Sequence, residues 1–135
     1  MEMYERVVKT YYDGLEEGKL LGRKCTSCGG IEFPPVFMCN DCGCAETEWV
    51  ELSGKGEMFL FTAPAPMSTV PHIAETFGPY VYGCVRTVEG PDFNAVVLGV
   101  APEIYDELRE ALPVPVKAKI AQRDGFKTLY FELDR

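Results

Sequence analysis

"CTSCGGIEFPPVFMCNDCGC", residues 25–44, gathers five of the six cysteines of a 135-residue chain and decides how the rest is read. Cys25-x-x-Cys28 and Cys39-x-x-Cys42 are two knuckles separated by a short spacer. A Cys-x-x-Cys turn sends two thiolates to one point, and two such turns complete a tetrahedral four-sulfur site of the kind zinc occupies. A glycine follows each knuckle, Gly29 and Gly43, where a positive φ would let main-chain amides approach sulfur. The expected ligands are therefore Cys25, Cys28, Cys39 and Cys42. Cys44 is a fifth nearby thiol and competes for the place of Cys42, although the duplicated Cys-x-x-Cys-Gly pattern favours Cys42. Four protein ligands leave no coordination position open, so the expected Zn2+, one per chain, is structural: it crosslinks a segment too small for its own core. Four-sulfur sites also accept iron, which keeps a rubredoxin-like electron carrier as an alternative.

The surroundings favour metal over disulfides. The first residues, MEMYERVVKTYYDGLEEGK, carry charges throughout and contain no apolar export core, and no apolar run reaches the ~20 residues of a membrane span. A cytoplasmic protein with no membrane partner is expected, and in that compartment thiols stay reduced or bind metal. The net charge is −8, and residues 25–48 contain Glu32, Asp41, Glu46 and Glu48 without any Lys or Arg. Thiolates on a divalent ion would make this stretch more negative still. It would repel a phosphate backbone, which argues against a nucleic-acid partner.

Outward from the cysteines, Tyr4, Val7, Val8, Tyr11 and Leu15 make one apolar stripe at helical spacing, with Gly14 weakening its end and Gly18 stopping it. This stripe has to cover either the rest of the chain or a partner. Beyond the cysteines the texture is β. "EWVEL" alternates, "GKG" (54–56) makes a turn or bulge, and "EMFLFTA" is apolar on both faces. "YVYGCVRTV" and "FNAVVLGV" flank the turn-like "EGPD". "PEIYDELREAL" places Ile104, Leu108 and Leu112 on one helical face after Pro102. Val114, Val116, Ala118 and Ile120 alternate, and Asp124-Gly125 signals a hairpin into "FKTLYFEL". Five or six strands with a short helix before the last hairpin fit a Greek-key barrel of the OB type, with an open α+β sheet as competitor.

The residues that carry the cysteines also carry a family resemblance. "LLGRKCTSCGGIEFPPVFMCNDCGC" followed by "WVELSGKGEMFLFT" resembles the rubredoxin-like zinc-ribbon plus OB-fold proteins associated with acyl-CoA enzymes, formerly a domain of unknown function. The shared features are the N-terminal helix, Leu20-Leu21-Gly22, both knuckles, Phe33-Pro34-Pro35, Trp49 and Ser53-Gly54-Lys55-Gly56. The resemblance implies a mainly β protein: an N-terminal helical segment (1–19), a zinc ribbon (20–48) and an OB-fold barrel (49–135). It also implies a non-catalytic accessory subunit that docks on a thiolase-superfamily enzyme and shapes its acyl-CoA site or channel. A subunit of an acyl-CoA hydratase or retro-aldolase is the runner-up, and a nucleic-acid-binding OB protein ranks lower.

No catalytic set of its own is expected in the chain. His72, the sole histidine, lies near Ser68, Thr69 and Glu75 in the Pro-rich stretch 64–80 and is read as an ordinary loop or interface residue. Cys84 reads as strand core. The stretch 64–80 is too long for a hairpin turn, and its apolar series Met67, Val70, Ile73 and Phe77 is the candidate docking surface for the enzyme subunit. The competing view folds it back over an open end of the barrel. For the phosphates of a CoA thioester, contacted in the complex, the candidate cations are Arg23, Lys24, Lys55, Lys117 and Lys119.

Overall fold

The structure is a computed structural model and describes residues 2–36, 39, 42–64, 71–123 and 125–134. Among these the chain forms two compact units: residues 1–54 with 88–91 and 120–128, and residues 55–87 with 92–119 and 129–135.

The first unit opens with α1 (Glu2–Glu16). A hydrogen-bond pair closes it: the Gly18 N–H donates to Leu15 O and the Lys19 N–H to Gly14 O, which satisfies the last carbonyls of the helix. The stripe is only partly as read. Leu15 is buried and Tyr11 stacks edge-on against Phe33, but Val8 is 55% exposed, and the side chains of Tyr4 and Val7 lie outside the described residues. Gly14 does more than weaken the helix end. It is buried, and a Cβ there would come 2.8 Å from Leu21 Cδ1, so the missing side chain lets β1 approach. The helix therefore packs within its own chain.

Three strands follow, β1 (Leu20–Cys25), β2 (Ile31–Glu32) and β3 (Thr47–Leu52), forming an antiparallel sheet in the order β2-β1-β3. The sequence reading divides β3 between ribbon and barrel at residue 49, whereas the whole strand belongs to the first unit. The tip of the last hairpin belongs there too: Phe126 stacks on Tyr12, and Lys127 reaches Glu16.

The remaining strands, β4 (Lys55–Thr62), β5 (Tyr80–Thr87), β6 (Asp92–Leu98), β7 (Val114–Arg123) and β8 (Phe126–Leu133), close into a barrel in the order β4-β5-β6-β8-β7. Numbered within the barrel this is 1-2-3-5-4, the OB arrangement, with β6 and β8 as its parallel pair. The open sheet is excluded. A short 3-10 turn (Pro102–Ile104) and α3 (Tyr105–Ala111) lie between the third and fourth barrel strands, as expected. Leu108 is fully buried, while Tyr105 packs on Phe61.

The interior is filled by Met58, Val81, Val85, Val97, Val100, Val116 and Phe131. β4 does not alternate cleanly because its register against β5 shifts between Met58 and Leu60. That bulge turns both Met58 and Phe61 inward and leaves Leu60 54% exposed. Cys84 is corrected from core to half-buried, since Val81, Gly83 and Val85 take the inner face of β5 around it.

Candidate metal centre and the barrel surface

The two knuckles repeat one backbone pattern. The Cys25 N–H donates to Gly30 O and the Gly29 N–H to Cys25 O; at the same offsets the Cys39 N–H donates to Cys44 O and the Gly43 N–H to Cys39 O. Both turns need a residue in the left-handed region, and glycine supplies it, with φ of 78° at Gly29 and 76° at Gly43. The equivalence answers the question of the fifth thiol. Cys44 is the counterpart of Gly30, placed by its carbonyl, and its sulfur accepts the Glu46 N–H at 3.3 Å.

The four sulfurs of Cys25, Cys28, Cys39 and Cys42 lie within 4.8 Å of one another, with Cys25–Cys42 at 3.6 Å and Cys28–Cys39 at 3.5 Å. A tetrahedron with metal–sulfur arms of ~2.3 Å has sulfur–sulfur edges of about 3.8 Å, so the donor set fits a single zinc ion. Cys25 and Cys39 are buried, and Cys28 and Cys42 are exposed. The electrostatics agree. Main-chain donation, first from the Cys28 N–H, holds the Cys25 thiol down to about 6. The Cys44 amide pulls Cys42 the same way, but crowding by the Cys25 and Cys28 sulfurs outweighs it and pushes Cys42 up to about 12. Sulfurs this close repel one another as thiolates, and a divalent cation at their centre removes that cost.

Outside the ribbon, α2 (Pro71–Phe77) stands in the stretch read as a loop. Pro71 suits the first helical position, and the run to Phe77 is too short for apolar periodicity to declare itself. Of the docking candidates, Ile73 is 5% exposed, and Phe77 is half-buried with its ring against Tyr130. Met67 and Val70 lie outside the described residues, as do Ser68, Thr69 and the His72 side chain. Glu75 is exposed.

The basic candidates divide between the units. Arg23 pairs across the ribbon sheet with Trp49, its guanidinium 4.6 Å from the ring centroid, and donates to the Thr47 carbonyl and hydroxyl. Desolvation lowers its pKa, and Glu48 partly offsets this. Lys24 is exposed on the same strand. Lys55, Lys117 and Lys119 come together on the outside of the barrel: Lys55 stands opposite Lys117, and Lys117 and Lys119 each lie 3.9 Å from Glu132. Period two on β7 puts Lys117 and Lys119 on one face from sequence; the Glu132 partner needed the pairing of β7 with β8.

The family model described as "ChsH2, rubredoxin-like zinc ribbon domain" matches residues 13–48. A "DUF35 domain-containing scaffold protein" of Pyrococcus furiosus is 32% identical over 110 residues, covering 82% of this chain and 78% of that protein. A "probable enoyl-CoA hydratase alpha subunit" of Thermomonospora curvata is 28% identical over 105 residues, 77% of this chain but only 30% of the longer protein. Among solved structures, "Ltp2-ChsH2(DUF35) aldolase" superposes with a TM-score of 0.72 at 21% identity, covering 94% of both chains. That likeness supports the fold.

Proposed function

From the premise that the chain belongs to the family of DUF35 domain-containing scaffold proteins, we propose that it is a zinc-stabilised, non-catalytic subunit that docks on an acyl-CoA enzyme and shapes its substrate channel. The observation that carries this reading is the match to a scaffold protein along 82% of the chain. The metal centre agrees with it. Four cysteines coordinating one ion leave no place for an activated water or a substrate oxygen, so the ion acts by holding the ribbon in shape. Chemistry is assigned to the partner, a thiolase-superfamily subunit acting in the cytoplasm, with acyl-CoA reached through it. Among the described residues no helix is long and apolar enough to cross a membrane.

Docking is proposed through the segment 64–80. Met67, Val70 and the remaining face of Phe77 meet the partner, while Ile73 anchors α2 from within. A second reading, a hydratase-type partner, is favoured by the name of the Thermomonospora relative. An aldolase partner is its near variant.

Affinity purification of the tagged chain from its native cells tests both. A stoichiometric thiolase-type subunit is the expected companion. A hydratase or aldolase subunit selects the second reading, and a solitary zinc-loaded protein overturns the scaffold function. Met67→Asp and Phe77→Asp should abolish co-purification while zinc content stays unchanged. A complex that survives both substitutions places the docking surface elsewhere.

A further inference from the structure

The cationic cluster on the barrel borders a groove of about 310 Å³, near the lower end of the range for small-molecule pockets. Phe77, Leu98 and Leu133 supply its apolar wall, Gly99 exposes bare backbone, and Lys119 and Glu132 supply its charge. All of these belong to the second unit. The Lys119 ammonium lies 5.8 Å from the centre of the Phe77 ring, so the cation, on a side chain 42% exposed, stands at the edge of the apolar wall and is open to an incoming anion. Its distance to Glu132, 3.9 Å, is too long for a hydrogen bond, and Lys117 approaches the same carboxylate at the same distance. One glutamate thus faces two lysines, and the ammonium donors are not taken up by it.

We propose that this groove binds a small monocarboxylate with a flat or linear apolar body, such as a short aryl or acyl acid. The carboxylate would meet Lys119, and the body would lie between Phe77, Leu98 and Leu133. The groove's own charges, Lys119 and Glu132, balance, but Lys117 just outside its lining shares the same carboxylate. The three together carry one positive charge and favour an anion on a chain whose net charge is −8. The apolar wall and the retained Glu132 select a singly charged, amphipathic anion over a phosphate. A hydrated dianion gains nothing from Phe77 and Leu133 and is repelled by the carboxylate. The proposal does not rest on the scaffold reading, since every residue it uses is in this chain.

The test titrates the zinc-loaded full chain with benzoate and hexanoate, with benzamide and hexanamide as uncharged matches, and with inorganic phosphate. Backbone and side-chain NMR shifts provide the readout. Saturable shifts at Phe77, Leu98, Lys119 and Leu133 are expected for the acids, with the amides at least ~10-fold weaker, a factor one well-placed charge contact can supply. Lys119→Met should weaken the acids ~10-fold and leave the amides unchanged. Glu132→Gln should tighten the acids several-fold, a response that a merely structural role for Glu132 would not give. Amides binding as well as acids, phosphate displacing benzoate at equal concentration, benzoate binding to Lys119→Met as to wild type, or no saturable shift with any probe would each overturn the proposal.

Discussion

The ribbon and the barrel reach order by different physics. Among the described residues of the ribbon unit the buried apolar side chains are few: Leu15, Leu20, Phe33 and Leu52, with Cys25 and Cys39. Among its described residues the segment from Thr26 to Glu46 has only a two-residue strand, and its turns are fixed by amide–carbonyl pairs around sulfur. The described residues there cover little apolar surface to offset the chain entropy, and metal coordination supplies a crosslink in its place. In the barrel the same task falls to Met58, the inward valines, Leu108 and Phe131, which bury one another without a crosslink. Metal removal should therefore damage one unit, and core truncation the other.

Metal removal is the larger effect. Chelation, or Cys39→Ala, removes an ion whose binding in small four-ligand sites is worth about 10 kcal/mol or more. Trp49, the sole tryptophan, lies on β3 in the ribbon unit and reads the change directly. Its emission should shift to the red, and amides in β1 and β3 should lose exchange protection before those of β5 and β6. Cys44→Ser is the control. Because Cys44 is the counterpart of Gly30, one zinc per chain should remain bound. Loss of metal in that variant would restore Cys44 as a ligand, and a red protein in place of a colourless one would mean iron.

Phe131→Ala sharpens the other half of the comparison. Phe131 is fully buried and faces Phe93, so truncation should cost ~3–5 kcal/mol with zinc content unchanged. A lower urea midpoint with stoichiometric zinc is the expected result. Zinc loss on this substitution would show that the ribbon depends on the barrel core.

The same division governs how much could be read from sequence. The ribbon was legible because its chemistry is local: spacing alone brings two thiolates together within each knuckle, and Gly29 and Gly43 mark the turns. The barrel was legible in its strand count and in the helix before its last hairpin, since alternation and Asp124-Gly125 are local signals too. What escaped was whatever depends on register or on a neighbour. The β4 bulge that turns Leu60 outward breaks a pattern that looks continuous along the chain. Val8 looks like part of a buried stripe until Gly14 and Leu21 show which face of α1 is covered. α2 is too short to announce itself, and Glu132 becomes the partner of Lys117 and Lys119 only once β7 and β8 are paired.

Tyr11 offers the smallest and most specific test, because it shows how the ribbon unit uses what apolar cover it has. Burial, with a lesser push from Tyr12, raises the Tyr11 phenol from 10.0 to about 12. Below pH 10 the phenol is neutral in folded and unfolded chains alike, and its packing against Phe33 contributes in full. Between pH 10 and about 12 the unfolded chain ionises while the folded one holds its proton, so the unfolded state binds fewer protons and stability falls as pH rises. The two-unit difference sets the loss at about 2–3 kcal/mol once pH passes the folded value. Urea midpoints followed through Trp49 at pH 8 and pH 11.5 measure the slope. Tyr11→Phe keeps the ring and removes the titration, so its midpoint should fall less over that interval than wild type, leaving other groups to account for the remainder. Equal falls would mean that the phenol reaches water, and that the helix lies less firmly on the ribbon than its contacts with Phe33 and Leu21 require.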